Sequence, residues 1–531
     1  MKQFLTFFDR MTCAFVLAVC VSVPAGVAAD VTMLSIGTSW RYLDDGGAVY
    51  NKGTEVARPA NLPADPADES FTGGSSAEKA TQSWTLPART LSAGVSTMAV
   101  EIHQGNSTSS DIAFDLEPIG TGTISVTRGP YLQIGTPRSV VVRWRTTIPT
   151  DSRVVYGQST ESLTHSATSP ALTTEHEITL AGLSPDTRYY YGVGDATGIF
   201  EGGDVDTFFV SSPTPGTEKP TRVWVLGDAG TADNNQQNVR DAYYHFAGAA
   251  HTDLWLMLGD NAYNNGTDEE YQVALFDIYG QMLRKSVLWP TLGNHDAGST
   301  DANGVNPYFN LFTLPAAAEA GGEASNTELY YSFDYANIHF VCLDSQTSNR
   351  SKTGAMYRWL ENDLSQTSQK WVIAFWHHPP YSKGSHNSDT EERLVEMREN
   401  FLPLLEANGV DLVLAGHSHS YERSKLIDGF YATPTLASSG IFKNEGNGDP
   451  TGDGAYGKEF GPHNGAVYAV AGSSGRTSGG SLDHPVMITS LKVLGSMVLD
   501  ISGNRLDATF LDDQGTARDA FTIIKSPKAK K

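Results

Sequence analysis

Leu254-Trp255-Leu256-Met257-Leu258 runs without a polar residue into Gly259-Asp260-Asn261-Ala262-Tyr263, and this stretch decides how the chain is read. A short apolar strand stops at a glycine, and the side chains that follow are of the kind that bind ions. The pattern recurs on both sides of it. Val223-Trp224-Val225-Leu226 runs into Gly227-Asp228-Ala229-Gly230, and Pro290-Thr291-Leu292 leads to Gly293-Asn294-His295-Asp296. The run 371–376 ends at His377-His378-Pro379-Pro380, and 410–414 ends at Gly416-His417-Ser418-His419. Helical periods lie at 235–249, 269–283, 354–366 and 391–408, the last closed by Gly409. Strand alternating with helix predicts an α/β layer architecture from Thr221 onward. Beyond about 486 the chain returns to strands, at 497–501 and 506–511, around the turn Ser502-Gly503-Asn504.

Upstream of Thr221 the chain reads as β throughout. Within 126–212, Val140-Val141-Val142-Arg143-Trp144 is a strand with a core-sized tryptophan, and Leu183-Ser184-Pro185-Asp186-Thr187-Arg188-Tyr189 has the spacing of a tyrosine corner. This stretch resembles a fibronectin type III-like sandwich, and 213–220, with Pro213, Pro215 and Gly216, is a linker by composition. Residues 30–125 are rich in Gly, Ser, Thr and Ala and resemble a small β-sandwich module often attached to secreted bacterial enzymes. The module looks shortened, since Trp40-Arg41-Tyr42 runs almost straight into Asp44-Asp45-Gly46. Residues 1–29 have the layout of a secretory signal peptide and are set apart from the fold: Lys2 and Arg10, an apolar run over 12–23, then Val27-Ala28-Ala29. Export to the periplasm or the cell exterior is expected, with no membrane span, because no later run reaches about 20 apolar residues. Cys13 and Cys20 leave with the leader, and Cys342, inside the apolar run 338–343, is expected to be a buried, inert thiol.

The whole chain has 531 residues, 37 basic against 60 acidic, for a net charge of -23. With 40% hydrophobic and 10% aromatic residues, global disorder is excluded. The acidic excess argues against binding nucleic acid or an anionic membrane over an extended surface. Taken singly, a Gly-Asp after a strand is most often a turn, and a lone histidine there is most often hydrogen-bonded structure. Five such strand ends in one domain are poorly explained by turns. Ligands in α/β sheets gather beyond the carboxyl ends of strands, and glycine lets the backbone turn and approach an ion. Two Asp, one Asn and three His make a mixed oxygen and nitrogen set of the size that two ions need. Two metal ions about 3.5–4 Å apart suit phosphoryl chemistry.

Asp228, Asp260, Asn294-His295, His377 and the His417-x-His419 pair match, in order, the signature of calcineurin-like metallophosphoesterases. Tyr263, three residues after Asp260, and Tyr421-Glu422-Arg423 after the last pair are similar to the purple acid phosphatases. The resemblance covers roughly 126–525. It implies an α/β catalytic domain over 221–531, with two packed β-sheets flanked by helices, preceded by all-β sandwich modules; 126–212 would be the purple acid phosphatase N-terminal domain. It further implies that Asp228, Tyr263 and His419 bind Fe(III) and that Asp260 bridges both metals. Asn294, His377 and His417 would hold a divalent Fe, Zn or Mn. Tyr263 as a phenolate would give the family its charge-transfer colour; read without the resemblance, it is a packing aromatic. The implied activity is hydrolysis of small phosphate monoesters by in-line attack of a metal-bound hydroxide, formed at mildly acidic pH because the ferric ion acidifies its water.

Leaving-group protonation needs an acid close to the ester oxygen. His295 matches the histidine at that point of the family motif, and His386 matches one of two adjacent histidines in the plant-type enzymes. Here the neighbour is Asn387, so the acid is His386 or His295. His378 reads as structural. Asp296, where many relatives carry Glu, reads equally as a carboxylate orienting His295 or as a turn cap. Arg423 reads as structural rather than as a phosphate partner, and His463 stays unassigned. Two other functions fit the same chain: a phosphodiesterase or nucleotide-pyrophosphate hydrolase on the same metals, and a glycan- or wall-binding protein with a vestigial site. The net charge does not oppose a small phosphate ester, because a ferric and a divalent ion outweigh Asp228, Asp260 and a Tyr263 phenolate locally. The acidic body acts only at long range, where salt screens it over about 8 Å.

Overall fold

In the computed structural model, residues 124–432 and 439–527 are described in full, together with the strands Ala14–Val23, Ala48–Asn51, Thr54–Ala57 and Gly94–His103. The chain divides into two compact units, Met1–Ser125 with Thr146–Pro149, and Val126–Arg145 with Thr150–Lys531. In the first unit the four early strands form one antiparallel sheet, in the order Ala14–Val23, Gly94–His103, Ala48–Asn51, Thr54–Ala57. The run of Val, Phe, Leu and Ala in Ala14–Val23 has strand propensity and pairs its backbone along the whole of Gly94–His103. The rest of the 30–125 module, with the Trp40-Arg41-Tyr42 junction, lies outside the described residues.

The second unit opens with six strands joined through Ser139–Gly157, which pairs antiparallel with both His165–Ala181 and Arg188–Gly194. Trp144 is fully buried at its centre. The tyrosine corner is present: the Ser184 amide donates to the Tyr189 hydroxyl at 3.0 Å.

From Thr221 two seven-stranded sheets pack together. The first runs Val287–Pro290, Leu254–Met257, Thr221–Leu226, Gly495–Ser502, Arg505–Asp512, Ala517–Ser526, Tyr456–Glu459. Its first three strands are parallel, and Gly495–Ser502 joins them antiparallel. The second runs Tyr331–Tyr335, Ile338–Cys342, Trp371–Trp376, Leu412–Ala415, Val467–Ala471, Tyr421–Ser424, Met487–Leu491, with four parallel strands from Ile338–Cys342 to Val467–Ala471. Period-2 geometry sorts its side chains into two cores. Trp371, Ile373 and Phe375 face the core shared with the first sheet, where Val223 and Val225 lie. Val372, Ala374 and Trp376 face the helices Ala355–Gln366 and Leu402–Ala407 through Leu360, Leu364 and Leu405. Cys342 is fully buried, and burial pushes its thiol up to about 12, so it is inert.

Polar caps fix the starts of two of the helices. The Asp233 carboxylate accepts from the Asn235 and Gln236 amides at the head of Asn234–Ala247, and Thr267 with Glu270 forms a capping box for Asp268–Tyr271. The two helical periods expected as continuous, 269–283 and 391–408, each contain a π segment, Gln272–Phe276 and Met397–Phe401.

Candidate metal centre

Five strand ends from both sheets meet at one point. Three of the residues there, Asp228, Asp260 and His417, hold left-handed backbone with φ of 56°, 53° and 65°. Such conformations cost non-glycine residues about 1 kcal/mol or more and persist only where the surroundings enforce them. The adjacent glycines are required by space: a Cβ on Gly293 would lie 2.2 Å from the Asp260 amide nitrogen, and one on Gly416 would lie 2.5 Å from Asp228 Oδ2. Amide donors fix the two carboxylates. The His417 amide donates to Asp228 Oδ2 at 2.7 Å, and the His295 amide to Asp260 Oδ1 at 2.9 Å.

All seven expected ligands converge, in two groups that share Asp260. In the first, the Tyr263 hydroxyl lies 3.1 Å from Asp260 Oδ2, 3.3 Å from Asp228 Oδ1 and 3.4 Å from His419 Nε2. In the second, His377 Nε2 lies 3.0 Å from Asn294 Oδ1, 3.1 Å from His417 Nδ1 and 3.4 Å from Asp260 Oδ1. Asp228, Asp260 and His377 are almost completely buried.

The protonation pattern suits cations. His377 Nδ1 donates to the Leu258 carbonyl at 2.8 Å, which turns Nε2 toward Asn294 Oδ1, Asp260 Oδ1 and His417 Nδ1. Four ligand-type atoms thus meet at one point. Burial lowers His417 to about 3 and His419 to about 4, with Arg476 adding to the effect on His419, so both imidazoles are uncharged near neutrality. Burial, with Asp260 beside it, pushes Asp228 well above the ordinary carboxylate range. Asp260, though burial alone would raise it, is drawn below that range by His377 and the His295 amide. Burial and the two carboxylates hold Tyr263 well above the usual phenol value. Desolvated carboxylates, a phenol and neutral imidazoles with converging lone pairs fit a pair of bound metal ions.

Both expected acids border this centre. His295 Nδ1 donates to the Asn264 carbonyl at 2.6 Å, its ring meets the Tyr263 ring at 4.5 Å, and its Nε2 lies 4.0 Å from Asp260 Oδ2. His386 stacks on His417 with ring centroids 3.6 Å apart, and its Nδ1 lies 2.8 Å from Glu391 Oε2. Glu391 was not visible as a site residue in the sequence, yet it also receives the Asn387 amide and lies 3.7 Å from His417 Nε2. Its amide, imidazole and charge contacts hold it down to about 2 despite partial burial. A cavity of about 370 Å³ opens beside them, lined by Asn294, His378, His386, Glu391, Arg393 and His417.

The remaining candidates sort by contact. His378 Nδ1 bonds Ser345 Oγ at 2.8 Å, and its ring packs against His377 and His417. Asp296 does not touch the His295 ring; its buried carboxylate accepts from Tyr271, the Asn261 amide and side chain, and the Gly293 amide, tying two ligand loops together. Arg423 is paired with Asp519 at 2.6 Å. His463 lies away from the centre, beside Asp428. Two more residues went unread in the sequence: Ser478, whose Oγ lies 3.0 Å from His419 Nδ1, and Arg476, whose guanidinium lies 3.6 Å from the Tyr263 ring centroid.

Comparison with known proteins bears on this arrangement. The calcineurin-like phosphoesterase family matches residues 221–421, and the purple acid phosphatase N-terminal domain matches 128–211. The probable purple acid phosphatase 20 of Arabidopsis thaliana is 30% identical over 314 residues, which are 55% of this chain and 68% of that protein. Purple acid phosphatase 15 of the same plant is 29% identical over 49% of this chain, and the chain spans 51% of its length. Purple acid phosphatase 23, also from that plant, is spanned over 59%. A purple acid phosphatase from yellow lupin (Lupinus luteus) seeds superposes with a TM-score of 0.59 at 16% identity, covering 97% of this chain and 94% of that one, which shows a shared fold. The paired sheets and the β domain in front thus find counterparts, and the chain belongs to the purple acid phosphatases.

Proposed function

We propose that this protein is an exported dinuclear-metal phosphatase that hydrolyses small phosphate monoesters. The supporting observation is the convergence of Asp228, Tyr263 and His419 on one side of Asp260 with Asn294, His377 and His417 on the other. In this reading the first group holds Fe(III), the second a divalent Fe, Zn or Mn, and Asp260 is shared. When bound, such a pair supplies Lewis-acid charge to the phosphoryl oxygens and acidifies water. The proposed organisation is a leader over 1–29, an accessory β module over 30–125, a sandwich over 126–212, a linker over 213–220 and the catalytic domain over 221–531. Among the described residues no helix is long and apolar enough to cross a membrane.

The chain's own groups prepare both ends of the reaction. The Leu258 carbonyl fixes His377, and Ser478 fixes His419, each through Nδ1, so both turn Nε2 to the centre. His386 rests Nδ1 on the Glu391 carboxylate, which orients the ring and leaves Nε2 placed to pass a proton to the leaving oxygen. His295, its Nδ1 on the Asn264 carbonyl, is placed to donate in the same way from the tyrosine side.

Metal analysis and a visible spectrum of the purified mature chain test the reading. Two metals including iron are expected, with a visible band that Tyr263→Phe abolishes or strongly shifts. Two metals with iron but no such band would reduce the assignment to a generic metallophosphoesterase. Phenyl phosphate should turn over faster than its bis-ester; the reverse order favours a diesterase. Protein with neither stoichiometric metal nor ester hydrolysis would instead be a glycan- or wall-binding protein.

A further inference from the structure

Arg476 stands out among the basic residues near the centre. Arg423 is claimed by Asp519, and Arg350 by Glu396, but among the described residues no carboxylate, hydroxyl or carbonyl pairs with the Arg476 guanidinium. Its recorded neighbour is the Tyr263 ring, 3.6 Å from the guanidinium carbon to the centroid. The hydroxyl of that same ring enters the first ligand group, 3.1 Å from Asp260 and 3.4 Å from His419. A half-buried, unpaired fork of N–H donors in an acid-rich chain is an unusual expense unless an anion is to meet it.

The loop that carries Arg476 is pinned on both sides. Ahead of it, the Ser474 amide donates to the Gly227 carbonyl at 3.1 Å, and the Gly227 amide donates to Ser474 Oγ at 3.2 Å. After it, Ser478 meets His419 twice, through Oγ at 3.0 Å and through its amide at 3.1 Å. Between these anchors Gly475 passes so close that a Cβ there would lie 2.7 Å from the Asp228 carbonyl oxygen. Arg476 is thus fixed to the same backbone that presents Asp228 and His419, rather than waving from the rim.

We infer that Arg476 is a substrate-binding residue, whose guanidinium, held on the face of Tyr263, donates to an anionic oxygen of the phosphoryl group at the metal pair. This rests on the function proposed above. The stack with Tyr263 keeps the guanidinium near the centre, and its N–H fork suits two phosphoryl oxygens at once.

The test compares metal-loaded wild type with Arg476→Gln and Arg476→Lys, using calorimetric titration of inorganic phosphate and phenyl phosphate kinetics. For Arg476→Gln the phosphate Kd and the phenyl phosphate KM should rise together by about tenfold or more, with kcat within about threefold and metal content unchanged. Arg476→Lys, which keeps the charge but loses the fork, should fall between, and it carries the test if the glutamine variant does not fold. A phosphate Kd within about twofold of wild type in both variants overturns the inference. So does a change in visible band or metal content with phosphate affinity intact, since Arg476 would then serve Tyr263 alone. Should wild type bind phosphate yet hydrolyse no ester, the proposed function fails while the Kd comparison still decides the role of Arg476.

Discussion

Asp260 turns Oδ2 toward Tyr263 and Oδ1 toward His377, so a single carboxylate serves both halves of the centre. Asp260→Asn should therefore lower the content of both metals, measured by elemental analysis, whereas Asn294→Ala should weaken only the divalent one. Retention of one metal at full stoichiometry in Asp260→Asn would show that the carboxylate is not shared. Six of the candidate ligands were legible because each sets a donor type at a strand end, mostly behind a glycine, a local pattern that survives without the fold, whereas Tyr263 was legible only through the family resemblance. Glu391, Ser478 and Arg476 were not, because no short-range pattern marks them. Glu391 reaches His386 and His417 from the head of a helix, and Ser478 and Arg476 approach from a loop far along the chain from Asp228. Asp296 shows the opposite case. Its position was noted, but only tertiary structure shows its oxygens spent on Tyr271, Asn261 and Gly293 rather than on His295.

Among the elements, the hairpin of Tyr331–Tyr335 and Ile338–Cys342 carries a buried charge device outside the candidate metal centre. His339 lies between Asp334, at 2.9 Å from Nδ1, and Asp363, at 2.8 Å from Nε2. Although burial alone would lower it, hydrogen bonds to these two carboxylates raise His339 to about 9 from its ordinary 6.5. A raised histidine contributes stability that is full below its unfolded pKa and lost as pH rises through the folded one. The contribution is on the order of 3 kcal/mol, complete below about pH 6.5 and gone above about pH 9. Thermal melts at pH 6 and pH 10 should show the gap between wild type and His339→Gln shrinking; a constant gap would exclude the device. Sequence periodicity placed the elements well because apolar runs and helical periods alternate sharply after Thr221. Ala14–Val23 shows where periodicity is blind, since an apolar, β-branched run reads alike as a leader and as a strand. The π segments were illegible, as they are set by how the helices fit against the sheets.

At the scale of the whole molecule, the β domain beginning at Val126 is locked onto the α/β part through Asp268. Arg145 reaches its two oxygens at 2.6 and 2.7 Å, and the fully buried Arg128 reaches them at 3.1 and 3.2 Å. Removing the carboxylate leaves a buried guanidinium short of its partner, so Asp268→Ala should cost roughly 2–3 kcal/mol. Calorimetry of wild type should show the span 126–527 unfolding as one cooperative step, and the variant should broaden or split it; an unchanged single peak at an unchanged temperature would rule the lock out. The left-handed backbone at the candidate ligands Asp228, Asp260 and His417 carries a consequence for the protein's lifetime. Without cations, the chain bears their backbone strain and their desolvated charge together, and with cations it is relieved of the second. Resistance to heat and to proteases should climb with metal titration, by about 2.7 kcal/mol at a hundredfold excess over Kd. The abundance of this protein should then follow the metal available to it, with unloaded chains the more readily degraded.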